Sequence, residues 1–248
     1  MRVVRQAVLL LRSELRQELR DFELLLSAGF FTLVLLAMFY LSFASLPVKH
    51  SLPAVPAMLW LTIAFVGVLT LTRAFDRERE ADTLRALLAA PVERLAIYLA
   101  KAALCLLVLM LCCLVLVPGL WLMFPGGAAF AEQPGQTALL VLLGCGGYVA
   151  VGTLFAAGLA TGGGKNTLLF IILYPLTTPI LLYALATTRA LLDRHPDLPG
   201  FLGQMAALDL ILFALAALLF ETVLVGAGVA HRPRDRPRDR NLSRKPAP

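Results

Sequence analysis

Side chains that could carry out catalysis or hold a metal are few in this chain, and none is arranged for either task. The three histidines, His50, His195 and His231, are isolated from one another, and neither an HExxH motif nor a paired-aspartate motif occurs. The glycine-rich segment 162–166 superficially resembles a phosphate-binding loop, but Asn166 stands where such a loop needs Ser or Thr. The sequence therefore predicts a chain that is not an enzyme, binds no metal and hydrolyses no nucleotide itself.

Two acidic residues, Asp209 and Glu221, interrupt the last apolar run of the chain. An ionisable residue inside a membrane is a functional candidate by default. We expect Asp209 in the first turn of its helix, where the positive end of the helix dipole favours a structural role. For Glu221, which lies deeper in the run, a helix-packing hydrogen bond and a role in transport are both open.

A dense group of ionisable side chains lies in residues 75–101, where acidic and basic residues precede a short amphipathic pattern. Asp82 is of the type that caps a helix, and Pro91 is placed to end one. The apolar face of this predicted helix consists of Leu84, Leu87 and Leu88. Since an ordinary cytoplasmic turn needs only a few residues, this coupling segment (residues 75–94) predicts a docking surface for a soluble motor. A solvated loop that only reverses the chain is the alternative.

These residues belong to a chain whose composition requires a membrane. Of its 248 residues, 59% are hydrophobic and 15% are charged, with a mean hydropathy of +0.81, whereas soluble domains are about half apolar and a quarter charged. Six runs are each long enough to cross a bilayer as a helix. The predicted spans are residues 24–47, 52–73, 96–120, 138–161, 167–189 and 206–230. We therefore predict an all-α membrane protein with one permease domain, residues 1–230, in which the four cysteines are small core residues.

The basic residues predict the orientation of these spans. If both termini are cytoplasmic, only Lys49, Arg189 and Arg194 of the 22 Lys and Arg residues fall on the outer side. This asymmetry is the positive-inside pattern. It accounts for the net charge of +6 without a nucleic-acid partner. The Arg- and Pro-rich tail, residues 231–248, is predicted to be disordered.

A second amphipathic pattern occupies residues 1–23. Apolar residues recur every three or four positions, and Arg12, Arg16 and Arg20 form a basic stripe beside them. The pattern predicts an interfacial helix on the cytoplasmic leaflet, with a solvated start to the first span as the alternative. The apolar positions are Val4, Val8, Leu11, Leu15, Leu19 and Phe22.

The coupling segment and the fifth span resemble elements of one transporter family. The first element of the family pattern is an acidic segment followed by D/G-[ST]-L-x-x-L, then a proline, then a lysine that enters the third span. In this chain the D/G-[ST]-L-x-x-L part is Asp82-Thr83-Leu84 with Leu87-Leu88. The proline is Pro91, and the lysine ends Leu99-Ala100-Lys101. The second, Tyr174-Pro175-Leu176-Thr177-Thr178-Pro179, is similar to L-P-L-x-I-P. The chain thus resembles the permease subunit of ABC transporters with ABC-2-type topology, and within that class the CcmB family, the haem-exporter permease of cytochrome c maturation.

The chain departs from that family's pattern at three places. Glu78 stands three residues after Phe75 where the family has aspartate, and Asp82 replaces a glycine. In the fourth span, Leu143-Gly144 is followed by Cys145-Gly146 where the family has Thr-Pro. The six-span architecture is unaffected by these differences.

The resemblance implies a non-catalytic, multi-pass subunit of the bacterial inner membrane. Its implied partners are a CcmA-like ATP-binding subunit, a CcmC-like haem-handling membrane protein, a small CcmD-like subunit and, indirectly, a CcmE-like haem chaperone. ATP use by the complex would drive release of the haem-loaded chaperone, with haem as a candidate substrate and no cofactor bound by this chain itself. A six-span permease also implies two copies facing two ATPase subunits.

The resemblance also implies roles for individual residues. ATPase coupling is expected from Phe75, Glu78, Asp82, Leu84, Leu87, Leu88 and Pro91. A kink and partner surface in the fifth span are expected from Tyr174, Pro175 and Pro179. The aromatic candidates for haem contact are Trp60, Trp121 and Tyr174, although interfacial belt positions explain tryptophans at least as often.

Three other functions compete with the maturation role. A generic ABC-2 exporter of lipid, glycan or drug would share the fold and the coupling helix. A structural anchor would assemble partners without moving, and would work with an inactive ATPase. A membrane enzyme is disfavoured because the sequence holds no catalytic constellation.

Overall fold

The computed structural model describes residues 2–43, 52–80, 93–124, 127–161 and 166–229, and every regular element in these ranges is helical. The helices are α1 (Arg2–Asp21), α2 (Glu23–Phe43), α3 (Val55–Glu80), α4 (Arg94–Met123), α5 (Ala128–Glu132), α6 (Pro134–Thr161), α7 (Asn166–Leu192) and α8 (Leu198–Val229), with a 3-10 turn at Leu52–Ala54. The predicted all-α class is confirmed over these residues. Most of the coupling segment and the basic tail lie outside them.

Five of these helices are long and apolar enough to cross a membrane. They contribute the candidate spans Glu23–Phe43, Val55–Phe75, Arg94–Met123, Pro134–Ala157 and Leu198–Phe220. Helix α7 covers the fifth predicted span, residues 167–189. The count of six spans and the cytoplasmic location of both termini stay predictions.

Helices α1 and α2 are separated by a tight elbow at Phe22. The φ angle of Phe22 is 52°, in the left-handed region, and its N–H donates to the Glu18 carbonyl at 2.6 Å. The Glu18 side chain accepts the N–H of Leu25 through Oε1 at 2.9 Å, so that it satisfies a free donor at the start of α2. The N-terminal helix is therefore an element of its own and not a straight extension of the first span.

The core is built around α6, which packs against α3, α4, α7 and α8. Glycines on α6 admit large side chains from α3: the Trp60 ring lies against Gly144 and Leu71 lies against Gly152, so closely that a Cβ at either glycine would force the facing side chain to shift. Membrane helices commonly gain close packing at small residues. These contacts hold α3 and α6 together along much of their length.

Two buried tyrosines also join α6 to its neighbours. Tyr98 of α4 donates its hydroxyl to the Ala150 carbonyl at 3.0 Å, and Tyr148 of α6 donates to the Ala64 carbonyl at 2.9 Å. A buried hydroxyl needs such a partner to offset the loss of water. Each bond therefore favours one register between two spans.

At the end of the bundle opposite the coupling segment, a turn after α7 is held by a backbone hydrogen bond and an ion pair. Arg194, at a φ of 52°, follows α7 in a left-handed turn in which the His195 N–H donates to the Ala190 carbonyl. Its guanidinium pairs with Glu132 of α5 at 2.6 Å. These contacts set the turn that leads into α8.

Candidate functional site

Lys101 is a buried cation at the end of the bundle from which the coupling segment leaves. It lies two turns into α4 and is 3% exposed. Its Nζ donates to Glu14 Oε2 at 2.9 Å and to the Ala74 carbonyl at 3.1 Å, and it lies 5.7 Å from the centroid of the Phe75 ring, within range of a cation–π contact. Lys101 thus joins α1, α3 and α4. We call Glu14, Ala74, Phe75 and Lys101 the coupling base.

Helix α1 contacts one flank of the coupling segment and is linked to the other through Lys101. At the segment's end, Gln6 Oε1 accepts the N–H of Glu93 at 3.2 Å. On the other flank, α1 reaches Ala74 through the shared bonds of Lys101. These bonds link α1 to both sides of the segment.

Phe75 is the only residue of the predicted coupling set whose side chain the structure describes. It is 3% exposed and lies inside the bundle against Lys101. Glu78 belongs to the last turns of α3, and its side chain is not described. The rest of the set lies outside the described residues: Asp82, Leu84, Leu87, Leu88 and Pro91. Their coupling roles stay predictions.

Glu14 is a residue of the coupling base that the sequence did not reveal. The predicted pattern separated apolar positions from the arginine stripe, and Val4, Val8 and Leu19 are indeed exposed. The protein-facing side of α1 instead contains Ala7, Glu14 and Glu18. The sequence did contain a signal for this side of α1. Glu14 and Glu18 are four positions apart, which places them on one helical face, opposite the arginines.

The prolines of the predicted kink lie in the interior of α7. Pro175 and Pro179 are both exposed, and Thr177 between them is buried. Each proline lacks the N–H that a helix uses as a donor. Tyr174 lies in the same helix, but its side chain is not described. The role of this stretch as a partner surface stays a prediction.

The two candidate haem-contact tryptophans have different surroundings. Trp60 is 2% exposed, and its Nε1 donates to Thr188 Oγ1 of α7 at 2.7 Å. Trp121 is 44% exposed near the end of α4. Only Trp121 thus offers its ring at the surface of the bundle.

Asp209 lies deep in its helix. The prediction that it occupies the first turn is wrong, because α8 begins at Leu198, about 17 Å earlier along the axis. Both carboxylate oxygens are buried, and no donor among the described residues hydrogen-bonds either oxygen. The carboxylate lies against Gly147 of α6, where an added Cβ would collide with Oδ1. Glu221 also belongs to α8, but its side chain is not described.

A cavity of about 410 Å³ lies beside Asp209, between α4, α6 and α8. Its walls are apolar, with Leu106, Val149 and Phe213 among the larger side chains. Asp209 is the only ionisable residue among those that line it. Leu210, which also lines the cavity, is 71% exposed. The cavity therefore borders the outer surface of the bundle, where lipid would lie.

Metal-ligating side chains do not cluster in the part of the chain that the structure describes. No group of three or more His, Cys, Asp or Glu side chains is close enough there to hold an ion. The four cysteines are all buried without a disulfide. Two other features stand out among the described residues. At the coupling base, the bonds of Lys101 tie three helices together, and in α8 the carboxylate of Asp209 is buried.

The sequence matches the family model described as an ABC-2 family transporter protein over residues 22–174. This match runs from the elbow before α2 into α7, and includes Ala74, Phe75 and Lys101 of the coupling base. Helix α1 and helix α8, with Asp209, lie outside it. No curated protein matches the chain.

Proposed function

The chain belongs to the ABC-2 family of transporter proteins and is thus a membrane permease subunit that works with an ATP-binding partner; we propose that its transporter serves the maturation of c-type cytochromes. In this role the complex uses ATP to deliver haem and to release the haem-loaded periplasmic chaperone. The CcmA-like, CcmC-like and CcmD-like subunits are its proposed membrane-bound and ATPase partners, and two copies of the permease face two ATPase subunits.

The observation that carries the coupling mechanism is the burial of Lys101. Because its ammonium is bonded to both Glu14 and the Ala74 carbonyl, the middle of α1 is held to the last turns of α3 and the first turns of α4. Packed elements of this kind shift as rigid bodies and do not deform continuously. Displacement of the coupling segment by an ATPase would therefore tilt the second and third predicted spans together.

We propose that Leu84, Leu87 and Leu88 dock in a groove of the ATPase, with Glu78 and Asp82 against its basic rim. Leu87→Asp should then abolish co-purification of the ATP-binding subunit, because a charge would enter an apolar interface. A matched control is Leu9→Asp on α1, at a position 57% exposed, which should co-purify as the wild type does. Intact co-purification and intact haem delivery with Leu87→Asp would contradict the docking proposal.

The haem role is supported by the resemblance of the coupling segment and of Tyr174–Pro179 to the CcmB pattern. In this proposal haem is the candidate substrate, and Trp121 is the better-placed aromatic contact because its ring is exposed. Pro175 and Pro179 of α7, which are exposed, are the proposed surface for a haem-handling partner.

The deciding experiment is haem accounting in membranes of a strain that lacks this gene. Covalent c-type haem is stained after denaturing electrophoresis, and b-type haem is measured spectroscopically in the same membranes. We expect c-type haem to be lost, b-type haem to be retained, and the wild-type gene to restore the former. Normal c-type cytochromes in a strain without a second copy of the gene would contradict the maturation role.

A generic ABC-2 exporter is the second candidate function. The observation that favours it is the cavity beside Asp209, because an exporter of small molecules needs a binding space within the bundle. Transport of a lipid, glycan or drug by membranes with normal c-type haem would support this function over the first.

A further inference from the structure

We propose that α1 binds the headgroups of acidic phospholipids through a row of exposed arginines on the side that faces away from the bundle. The partner is a membrane surface of one chemical class, a leaflet that contains lipids with a net negative charge. The row is a feature of the chain itself. The proposal is therefore independent of whether the transporter serves haem delivery or general export.

Four arginines of α1 form this row. Arg5, Arg12, Arg16 and Arg20 are all exposed, and at 3.6 residues per turn they fall within an arc of about 80°. At 1.5 Å per residue the row is about 22 Å long. No carboxylate among the described residues pairs with any of the four. The arginine row thus extends the predicted basic stripe by Arg5 and presents four guanidinium groups to an anionic partner.

The acidic residues of α1 do not neutralise the arginine row. Glu14 accepts a hydrogen bond from Lys101, and Glu18 accepts one from the N–H of Leu25, both on the side of α1 that faces the bundle. Asp21, at the last position of the helix, is the only exposed acidic residue of α1. The outer side of α1 consequently carries a net positive charge.

The surface next to the arginine row is apolar, which favours a lipid partner over a soluble anion. Val4, Val8 and Leu19 are exposed along α1. Exposed apolar residues continue across the elbow with Phe22 and on to Leu26 of α2, and α2 is a candidate membrane span. An apolar side beside a cationic one is the arrangement of a helix that lies in the interface of an anionic leaflet.

The chemistry of arginine fits a phosphate headgroup. A guanidinium donates two parallel hydrogen bonds to one phosphate, and its stem lies along apolar surface while its charge reaches the headgroups. Like charges four positions apart repel one another, so an anionic surface relieves the repulsion among Arg12, Arg16 and Arg20. Because the choline ammonium offsets the phosphate charge in phosphatidylcholine, we expect a preference for phosphatidylglycerol, which keeps its negative charge.

The test measures which lipid gathers beside α1. Since all four native cysteines are buried, a bimane label on Val8→Cys reports from the apolar side next to the arginine row. The full chain is placed in phosphatidylcholine nanodiscs that contain an equal small fraction of one of two quenchers. These are phosphatidylglycerol and phosphatidylcholine that carry a nitroxide near the headgroup. We expect the phosphatidylglycerol probe to be enriched at the label by at least about fivefold, the factor that one arginine near an anionic surface provides, and the enrichment to fall in high salt.

Substitutions of the basic stripe identify the residues responsible. Arg12→Gln, Arg16→Gln and Arg20→Gln, combined in one chain, should abolish the enrichment, whereas lysine at the same three positions should retain most of it because the charge is kept. A matched control removes three exposed arginines outside α1 and should keep the full preference. It combines Arg73→Gln, Arg189→Gln and Arg194→Gln.

Three results would overturn the proposal. Equal quenching of the wild type by the two probes would mean that α1 does not select acidic lipids, and no quenching by either would mean that α1 lies away from the bilayer. A preference that the glutamine variant keeps in full would place the attraction on other residues. If the wild type shows equal quenching and the glutamine variant loses the ATP-binding subunit on co-purification, the arginine row binds the ATPase and not lipid.

Discussion

Gly144 and Gly146 lie two residues apart on α6 and differ in what a side chain would meet. A Cβ at Gly144 would collide with the Trp60 ring, whereas a Cβ at Gly146 meets nothing within 4 Å. We expect Gly144→Ala to destabilise the protein by about 1–3 kcal/mol through overpacking, and Gly146→Ala to leave stability unchanged or raise it, since alanine favours a helix. Thermal denaturation of the two variants in the same detergent measures both effects. Equal melting temperatures for Gly144→Ala and Gly146→Ala would contradict the Trp60 contact.

Lys101 and Arg73 both form ion pairs near the coupling segment, but only Lys101 is buried. Its side chain is 4% exposed, whereas the Arg73 and Glu23 side chains are 40% and 70% exposed at 3.2 Å from each other. Lys101→Met removes the donor to Glu14 and to the Ala74 carbonyl, at an expected loss of about 1–3 kcal/mol. Arg73→Met should have little effect, as exposed pairs contribute little. If the two variants melt together, the coupling base does not stabilise the bundle.

Helix α1 has three different sides, and they predict how it meets the membrane. Its protein-facing side includes Ala7, its exposed apolar side includes Val8, and Gln17 is exposed among polar residues. Because all four native cysteines are buried, a nitroxide label on an introduced cysteine reports that position alone. We expect Val8→Cys to be accessible to oxygen, which dissolves in lipid, and Gln17→Cys to an aqueous nickel complex. Aqueous access at both positions would favour a solvated α1 over an interfacial one. The reverse result would contradict the assignment of Val8 to the lipid-facing side.

The long membrane helices could be predicted from the sequence because each coincides with a long apolar run. The start of α8 was not predicted: the predicted span begins at residue 206, whereas the helix begins at Leu198. Pro199 lies in its first turn, where a helix tolerates proline. That difference moved Asp209 from a helix start into the interior. The elbow at Phe22 was also missed, since a left-handed non-glycine residue has no local sequence signature.

Of the ion pair in the coupling base, only the lysine could be predicted from the sequence. The lysine entering the third span belonged to the recognised pattern, but its partner Glu14 lies 87 residues earlier in the chain. Such a pair depends on how α1 folds back onto α4, and helical periodicity carries no information about that contact. The cavity beside Asp209 likewise needs three helices that are distant in sequence.

At the level of the complex, docking of the ATPase and transmission of its movement are separate steps that different residues should control. Leu87→Asp is expected to prevent ATPase association, whereas Lys101→Met removes only the tie between α1, α3 and α4. In the haem-delivery role, we expect the Lys101→Met permease to retain the ATP-binding subunit in pull-downs. The complex should still hydrolyse ATP, while c-type haem in the membranes falls severalfold.

The control for this last prediction is Arg73→Met, which removes an exposed pair on the same helix end and should leave c-type haem unchanged. Both variants must be present in the membrane at wild-type amounts, so that lost stability is not read as lost coupling. The buried tie makes transmission depend on α1, although α1 lies outside the region that matches the transporter family. Normal c-type haem with Lys101→Met, at full ATPase activity, would mean that α3 and α4 transmit the movement without it.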